Sequence, residues 1–188
     1  MATRDSEATR QRLIEAARRE FGEFGIAGAR VDRIAASAAA NKAQIYHYFG
    51  SKDQLFDAVW ESIVKEVLWD TPVDIDDIPG YAVRLADIYA AHPEIQRLVT
   101  WKRLERRHDP PHAFAVEGSR PMIDAIAKAQ ASGTVTDHFD AQVLFGLIVR
   151  IAAMWETSSP DFLSVVGVSD PKRRRKIVRD AVERLVTR

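Results

Sequence analysis

Apolar residues return at intervals of three and four along almost the whole chain, and no segment sustains the alternation that a strand requires. Leu13, Ala16, Ala17, Phe21 and Phe24 mark one face of a first helix, closed by Gly25 and Gly28. Val31, Ile34, Ala35 and Ala38 mark a short second helix. Ile45 and Phe49 lie four apart on the inner face of a third, which opens on Asn41-Lys42-Ala43-Gln44, an Asn-x-x-Gln start of the capping-box kind, and stops at Gly50. Ser51-Lys52-Asp53-Gln54 opens a fourth in the same way, and a wide apolar stripe from Leu55 to Leu68 follows. The acidic stretch Asp70–Pro79 holds two prolines and breaks the pattern as a loop. Beyond it the spacing predicts helices over 81–91, 93–107, 111–132, 138–157 and 171–187, the third of these kinked or broken near Gly118 and Pro121. The result is an all-α chain of about nine helices.

At 188 residues the chain buries enough surface to fold without disulfides or metal. It has no cysteine, which excludes thiolate nucleophiles, cysteine-ligated zinc and iron–sulfur clusters. The start of the chain lacks the apolar core of a secretory signal. The longest apolar stretch, 143–155, is interrupted by Arg150 and is shorter than the ~18 residues of a spanning helix. A soluble, cytoplasmic protein is expected. There is no nucleophile elbow, phosphate loop or dinucleotide fingerprint, so neither enzymatic activity nor a cofactor is expected. His108 and His112 are four apart, but Asp109-Pro110-Pro111 prevents the helical turn that would put them on one face. With Glu105 nearby they leave a metal site as a minor alternative, and no metal ligand is assigned.

Residues 31–49 have helix-turn-helix proportions, with Ile45 and Phe49 as inner anchors and Lys42, Ala43, Gln44, Tyr46, His47 and Tyr48 left for the outer and lateral faces. Lysine suits phosphate or guanine, glutamine suits adenine, tyrosine hydroxyls suit phosphate, and a small alanine permits close approach or contact with a thymine methyl. Gln44 is equally suited to closing the capping box, and His47 to a surface position without a role. More specific is the run Thr9-Arg10-Gln11-Arg12-Leu13-Ile14-Glu15-Ala16-Ala17, then Phe21, Gly25, Val31-Asp32-Arg33-Ile34-Ala35, and Ile45-Tyr46-His47-Tyr48-Phe49 followed by Ser51-Lys52-Asp53-Gln54-Leu55. From about residue 7 to 67 the chain resembles the DNA-binding domain of TetR-family transcriptional regulators. The resemblance implies that Lys42, Ala43 and Gln44 face bases, that Tyr46, His47 and Tyr48 meet phosphates or base edges, and that Lys52 clamps a phosphate at the start of the fourth helix. Two positions depart from the family pattern. Ala29-Arg30 replaces the hydroxyl residues that usually cap the second helix, leaving Arg30 as a substitute phosphate contact. Ala39 replaces the usual turn glycine, at a cost on the order of 1 kcal/mol if a positive φ is needed.

Residues 68–188 resemble the family only in architecture, as a helical ligand-binding and dimerisation domain. Trp60, Tyr89, Trp101, Phe114, Met122 and Trp155 are the candidates for an apolar effector pocket, and equally for plain core. The resemblance implies a homodimer formed through the helices at 138–157 and 171–187, reading a palindromic operator as a repressor under control of a small-molecule effector. The competing expectation is an all-α ligand-binding or metal-dependent protein that keeps the helix-turn-helix only as scaffold, for which the missing hydroxyls at Ala29-Arg30 are the motive. The basic run Lys172–Lys176 reads as a solvated first helical turn capped by Asp170 and anchored by acids or phosphate, or as a nucleic-acid patch.

Lys+Arg and Asp+Glu are both 27, and a net charge of zero by itself argues against a nucleic-acid binder. The charge is unevenly spread, however. Residues 30–52 hold four basic residues and one acid, whereas the middle of the chain is acidic. A compact basic reading head balanced elsewhere implies weak non-specific binding, with contact confined to the first quarter of the chain.

Overall fold

The computed structural model describes residues 2–187. Among these residues it contains no strand and eleven α-helices: α1 (Ala2–Gly28), α2 (Val31–Ser37), α3 (Lys42–Phe49), α4 (Lys52–Val64), α5 (Ile78–Ala91), α6 (Glu94–Glu105), α7 (Ala113–Ala131), α8 (Ala141–Ala152), α9 (Met154–Thr157), α10 (Pro160–Val166) and α11 (Pro171–Val186). A π-helical turn, Lys65–Trp69, follows α4 directly. The count exceeds the expected nine because the helix foreseen at 138–157 stops at Ala153 and resumes as α9, and because α10 was not foreseen. α10 is short but well punctuated. Ser159 Oγ accepts the Phe162 N–H at 3.2 Å, proline opens the first turn, and Gly167 closes the helix in the left-handed region at φ 66°. α7 runs unbroken through Pro121, where a kink or break was expected.

Contacts gather the chain into two compact units: residues up to Val64 together with Glu94–Pro110, and Lys65–Pro93 together with Pro111–Arg188. In the first unit α1 packs against α2, α4 and α6. Leu13, Phe21, Ile34, Ile45, Leu55 and Phe56 are fully buried there, and the rings of Phe21 and Phe56 meet edge to face at 5.4 Å. Phe24, expected on the inner face of α1, is instead 46% exposed and covered by the Arg33 guanidinium, 4.1 Å from the ring centre. In the second unit α5 packs on α8 and α11, and α7 on α8. Tyr81, Leu85, Ile126, Leu144, Ile148, Val178 and Val182 form its core.

Two backbone positions shape the first unit. Gly25 bends α1 at φ 72°, ψ 177°, a conformation open essentially to glycine alone. The freed Ala27 N–H donates to Glu105 Oε2 at 2.7 Å, and a Cβ on Gly25 would press into Glu105 and lie 3.0 Å from the Trp101 ring. In the α2–α3 turn Ala39 sits at φ 50°, in the left-handed region that favours glycine.

Two opposite stability shifts follow. Gly25→Ala should lower stability by about 1–3 kcal/mol from backbone strain alone. Ala39→Gly should raise it by about 1 kcal/mol. At roughly 2–4 °C per kcal/mol for a chain of this size, thermal melts of the two variants should move in opposite directions from the wild type.

Candidate nucleic-acid interface

The α2–turn–α3 segment is seated by five buried side chains, Ile34, Ala35, Ala38, Ile45 and Phe49. Polar contacts fix its pose on α1. Arg12 Nε donates to the Ala38 carbonyl at 3.3 Å, satisfying the C-terminal end of α2. Arg30 occupies the N-cap of α2 and makes no side-chain cap bond. The start of α2 is instead tied to α1: Glu20, only 9% exposed, accepts the Arg30 backbone N–H at 2.8 Å and the Arg33 Nε at 2.7 Å. The second Arg33 nitrogen lies 2.6 Å from the same carboxylate oxygen.

α3 begins with a complete capping box. Asn41 Oδ1 accepts the Gln44 N–H at 2.9 Å, and Gln44 Oε1 accepts the Asn41 N–H at 3.0 Å. Gln44 therefore uses its carbonyl oxygen on the cap and keeps its side-chain amide nitrogen for another partner. Lys42, Ala43, Tyr46 and His47 are exposed, Tyr46 by 51%. Lys42 Nζ pairs with Asp32 Oδ1 on α2, and an Arg30 nitrogen lies 3.9 Å from Asp32 Oδ2. Tyr48 is half-buried, its hydroxyl 3.1 Å from Ser6 Oγ on α1 and its ring edge-on to His47 at 5.3 Å. Lys52, expected as a phosphate clamp, donates at 3.2 Å to both the Ala27 and the Ala29 carbonyls, so it neutralises the carbonyl end of α1. Its ammonium has a third donor left. Ser51 Oγ accepts the Gln54 N–H at 3.1 Å and opens α4.

Chemically, this is a short polar helix presented on a fixed base, with two phenols, an imidazole, an amide and an ammonium on or beside its outer face. Sequence reasoning missed the residues that hold it. Glu20 and Asp32 act across helices, and no spacing along one helix signals such pairs.

The six effector-pocket candidates are divided between the two units. Trp60 and Trp101 lie in the first unit. Lys102 Nζ sits 5.3 Å from the Trp60 ring centre, and Trp101 packs on the Gly25 bend. Tyr89, Phe114, Met122 and Trp155 lie in the second. Phe114 stacks on Trp69 at 5.4 Å, and Met122 and Tyr89 are buried. Burial raises the Tyr89 phenol to about 12 and the Tyr81 phenol as well, so both stay neutral. Trp155 borders a cleft of about 330 Å³ and carries Arg174 over its ring at 5.1 Å. Two residues of the basic run are paired with acids: Arg175 Nε donates to Asp87 at 2.5 Å and Lys176 Nζ to Asp180 at 2.6 Å. Asp170 caps α11 by accepting the Lys172 and Arg173 N–H groups, each at 3.2 Å. Glu105 is engaged with Ala27, and no group of three metal-ligating side chains exists among the described residues.

Known proteins match in two regions. Residues 13–59 match bacterial regulatory proteins of the tetR family, and residues 77–184 match the tetracyclin repressor-like C-terminal domain. The HTH-type transcriptional repressor SCO4008 of Streptomyces coelicolor is 40% identical over 193 residues, spanning 100% of both chains. The chain belongs to the TetR family. It is a DNA-binding regulator of transcription and not an enzyme. The HTH-type transcriptional repressor NicS of Pseudomonas putida is 28% identical, over 91% of this chain and 86% of its own. Among solved structures, SCO4942 of Streptomyces coelicolor superposes with a TM-score of 0.84 at 36% identity, covering 95% of this chain and 98% of that one. No helix among the described residues is long and apolar enough to cross a membrane.

The α3 side chains should separate by role in this TetR-family chain. Tyr46→Ala should weaken binding about five- to tenfold on any duplex, as loss of a phosphate contact does. Gln44→Ala should change the base preferred at one position per half-site. It should also cost about 1 kcal/mol of stability through the broken capping box. Parallel binding curves on a panel of single-base duplex variants, with melts of each protein, check both.

Proposed function

We propose that the chain is a homodimeric, effector-responsive repressor that works in the cytoplasm and reads a palindromic operator through α3 of each copy. Residues 7–67 are the DNA-reading domain, and 68–188 the ligand-binding and dimerisation domain. The observation that carries the reading is the outer face of α3, where Lys42, Ala43, Tyr46 and His47 are exposed above the buried anchors Ile45 and Phe49. Gln44 lies at the base-facing start of α3, and Tyr48, Lys52 and Arg30 flank that face as the candidate phosphate contacts. Repression, rather than activation, is supported by the names of SCO4008 and NicS, both called transcriptional repressors.

Dimerisation is supported by helices that are apolar on two sides. In α8 the row Leu144, Phe145, Ile148 and Ala152 is buried, while Val143, Leu147 and Ile151 form a second row that is partly exposed, Val143 by 49%. Gly146 lies between them, with nothing within 4 Å of where a Cβ would sit, so another helix can approach closely there. In α11 Val178, Val182 and Val186 are buried, and Ile177, Ala181 and Leu185 form the second row. Partly exposed apolar rows of this length are suited to a self-complementary two-fold interface. An effector site in the second unit is supported by two buried polar atoms without a partner, Tyr81 Oη and Trp155 Nε1, which a small molecule's acceptor groups can satisfy.

Selection of duplexes from a random library against the purified chain should enrich a palindrome, and binding to it should fall steeply with salt. Recovery of no preferred sequence would sink the proposal. Leu147→Glu should convert the dimer to a folded monomer by light scattering, and reduce affinity for the full palindrome to that for a half-site.

A further inference from the structure

The cations of the reading head are engaged from within. Four cations lie between Arg30 and Lys52, and each has a partner inside the protein. Arg33 is held by Glu20, and Lys52 by the Ala27 and Ala29 carbonyls. Lys42 and Arg30 share Asp32, the one acid in that stretch, with Lys42 on Oδ1 and Arg30 3.9 Å from Oδ2. Lys42 is 56% exposed and Asp32 50%, so the pair is open to exchange.

We propose that Asp32 is a specificity-determining residue: it holds Lys42 in an ion pair on random DNA and releases it only when α3 is seated on the operator. This deepens the DNA-reading proposal and rests on it. Non-specific affinity comes from cations that replace counterions along the phosphates, so a lysine already paired with a carboxylate adds almost nothing to it. An exposed ion pair is weak, so one well-aligned contact with a guanine edge, which only the operator places correctly, is enough to take Lys42 away. Arg30, on the other oxygen side of Asp32, remains to balance the carboxylate once Lys42 has left. The pair therefore subtracts from binding wherever α3 is poorly seated and costs little where it is well seated. Specificity rises because the wrong sites are weakened rather than because the right one is strengthened.

The test uses the full chain, a duplex recovered by selection, and a scrambled duplex of the same composition, titrated by fluorescence anisotropy over a salt series. Asp32→Asn should bind the scrambled duplex about three- to fivefold more tightly, with a salt slope steeper by about 0.9, and the selected duplex by about twofold at most. Lys42→Met should do the reverse, leaving the scrambled duplex nearly unchanged and weakening the selected one. In the Lys42→Met background Asp32→Asn should lose its preference for the scrambled duplex. Equal gains on both duplexes for Asp32→Asn, no gain at all, or a gain that persists without Lys42 overturns the proposal. So does Lys42→Met weakening both duplexes alike, which decides the matter even if the Asp32 variant folds poorly. A wild type that does not prefer the selected duplex strikes the DNA-reading proposal instead.

Discussion

Glu20 is nearly buried in α1, and a buried carboxylate is costly unless its oxygens are paired and hydrogen-bonded. Here one oxygen accepts from the backbone at the start of α2 and from the Arg33 side chain, so the cost is offset only when α2 sits in one place on α1. Everything downstream inherits that placement. Arg33 covers Phe24, Arg12 closes the far end of α2, and the turn through Ala39 delivers α3 with Ile45 and Phe49 pointing inward. Replacing one partner of such a cluster leaves a buried charge unsatisfied, a larger penalty than the loss of any exposed ion pair on the same surface.

The far end of α1 is held with equal care. The Gly25 bend breaks the helical ladder, and the exposed amide of Ala27 goes to Glu105 while Lys52 takes the Ala27 and Ala29 carbonyls. Donors and acceptors freed by one backbone irregularity are thus met from α6 on one side and α4 on the other. α6 also carries Glu94 and Trp101 against Gly22 and Gly25, and Arg106, just beyond its end, pairs with Asp53 of α4. The first unit is accordingly more than a three-helix module: a segment distant in sequence completes its core.

The helical periods were legible because burial on one face repeats every 3.6 residues, and the caps at Asn41, Ser51 and Asp170 were legible because they act within four residues. At Ala39, where the sequence left open whether a positive φ is needed, the backbone does adopt one. Glu20, Asp32 and Glu105 were not legible as structural groups, because their partners lie on other helices and no spacing marks them. The break at Ala153 escaped notice since apolar residues continue across it through Met154 and Trp155. Pro121 misled in the opposite direction, its effect on the backbone being absorbed within α7. The pocket candidates, chosen by size and helical spacing, divide between the two units, because a large apolar residue at the right period is equally the signature of core.

On the proposed function, Gln44 joins local stability to base reading. Its carbonyl oxygen closes the capping box, a contribution of about 1 kcal/mol to α3. A bidentate grip on adenine needs both the carbonyl oxygen and the amide nitrogen, and is worth about 1–3 kcal/mol of discrimination. The side chain cannot do both, so leaving the cap is favourable only where an adenine is well placed. Where it is not, Gln44 stays on Asn41 and offers the groove its amide nitrogen alone, a donor that suits acceptors on guanine or thymine. The cap thereby lowers the discrimination available from this residue by roughly its own stability, while keeping α3 rigid for the contacts made by its neighbours.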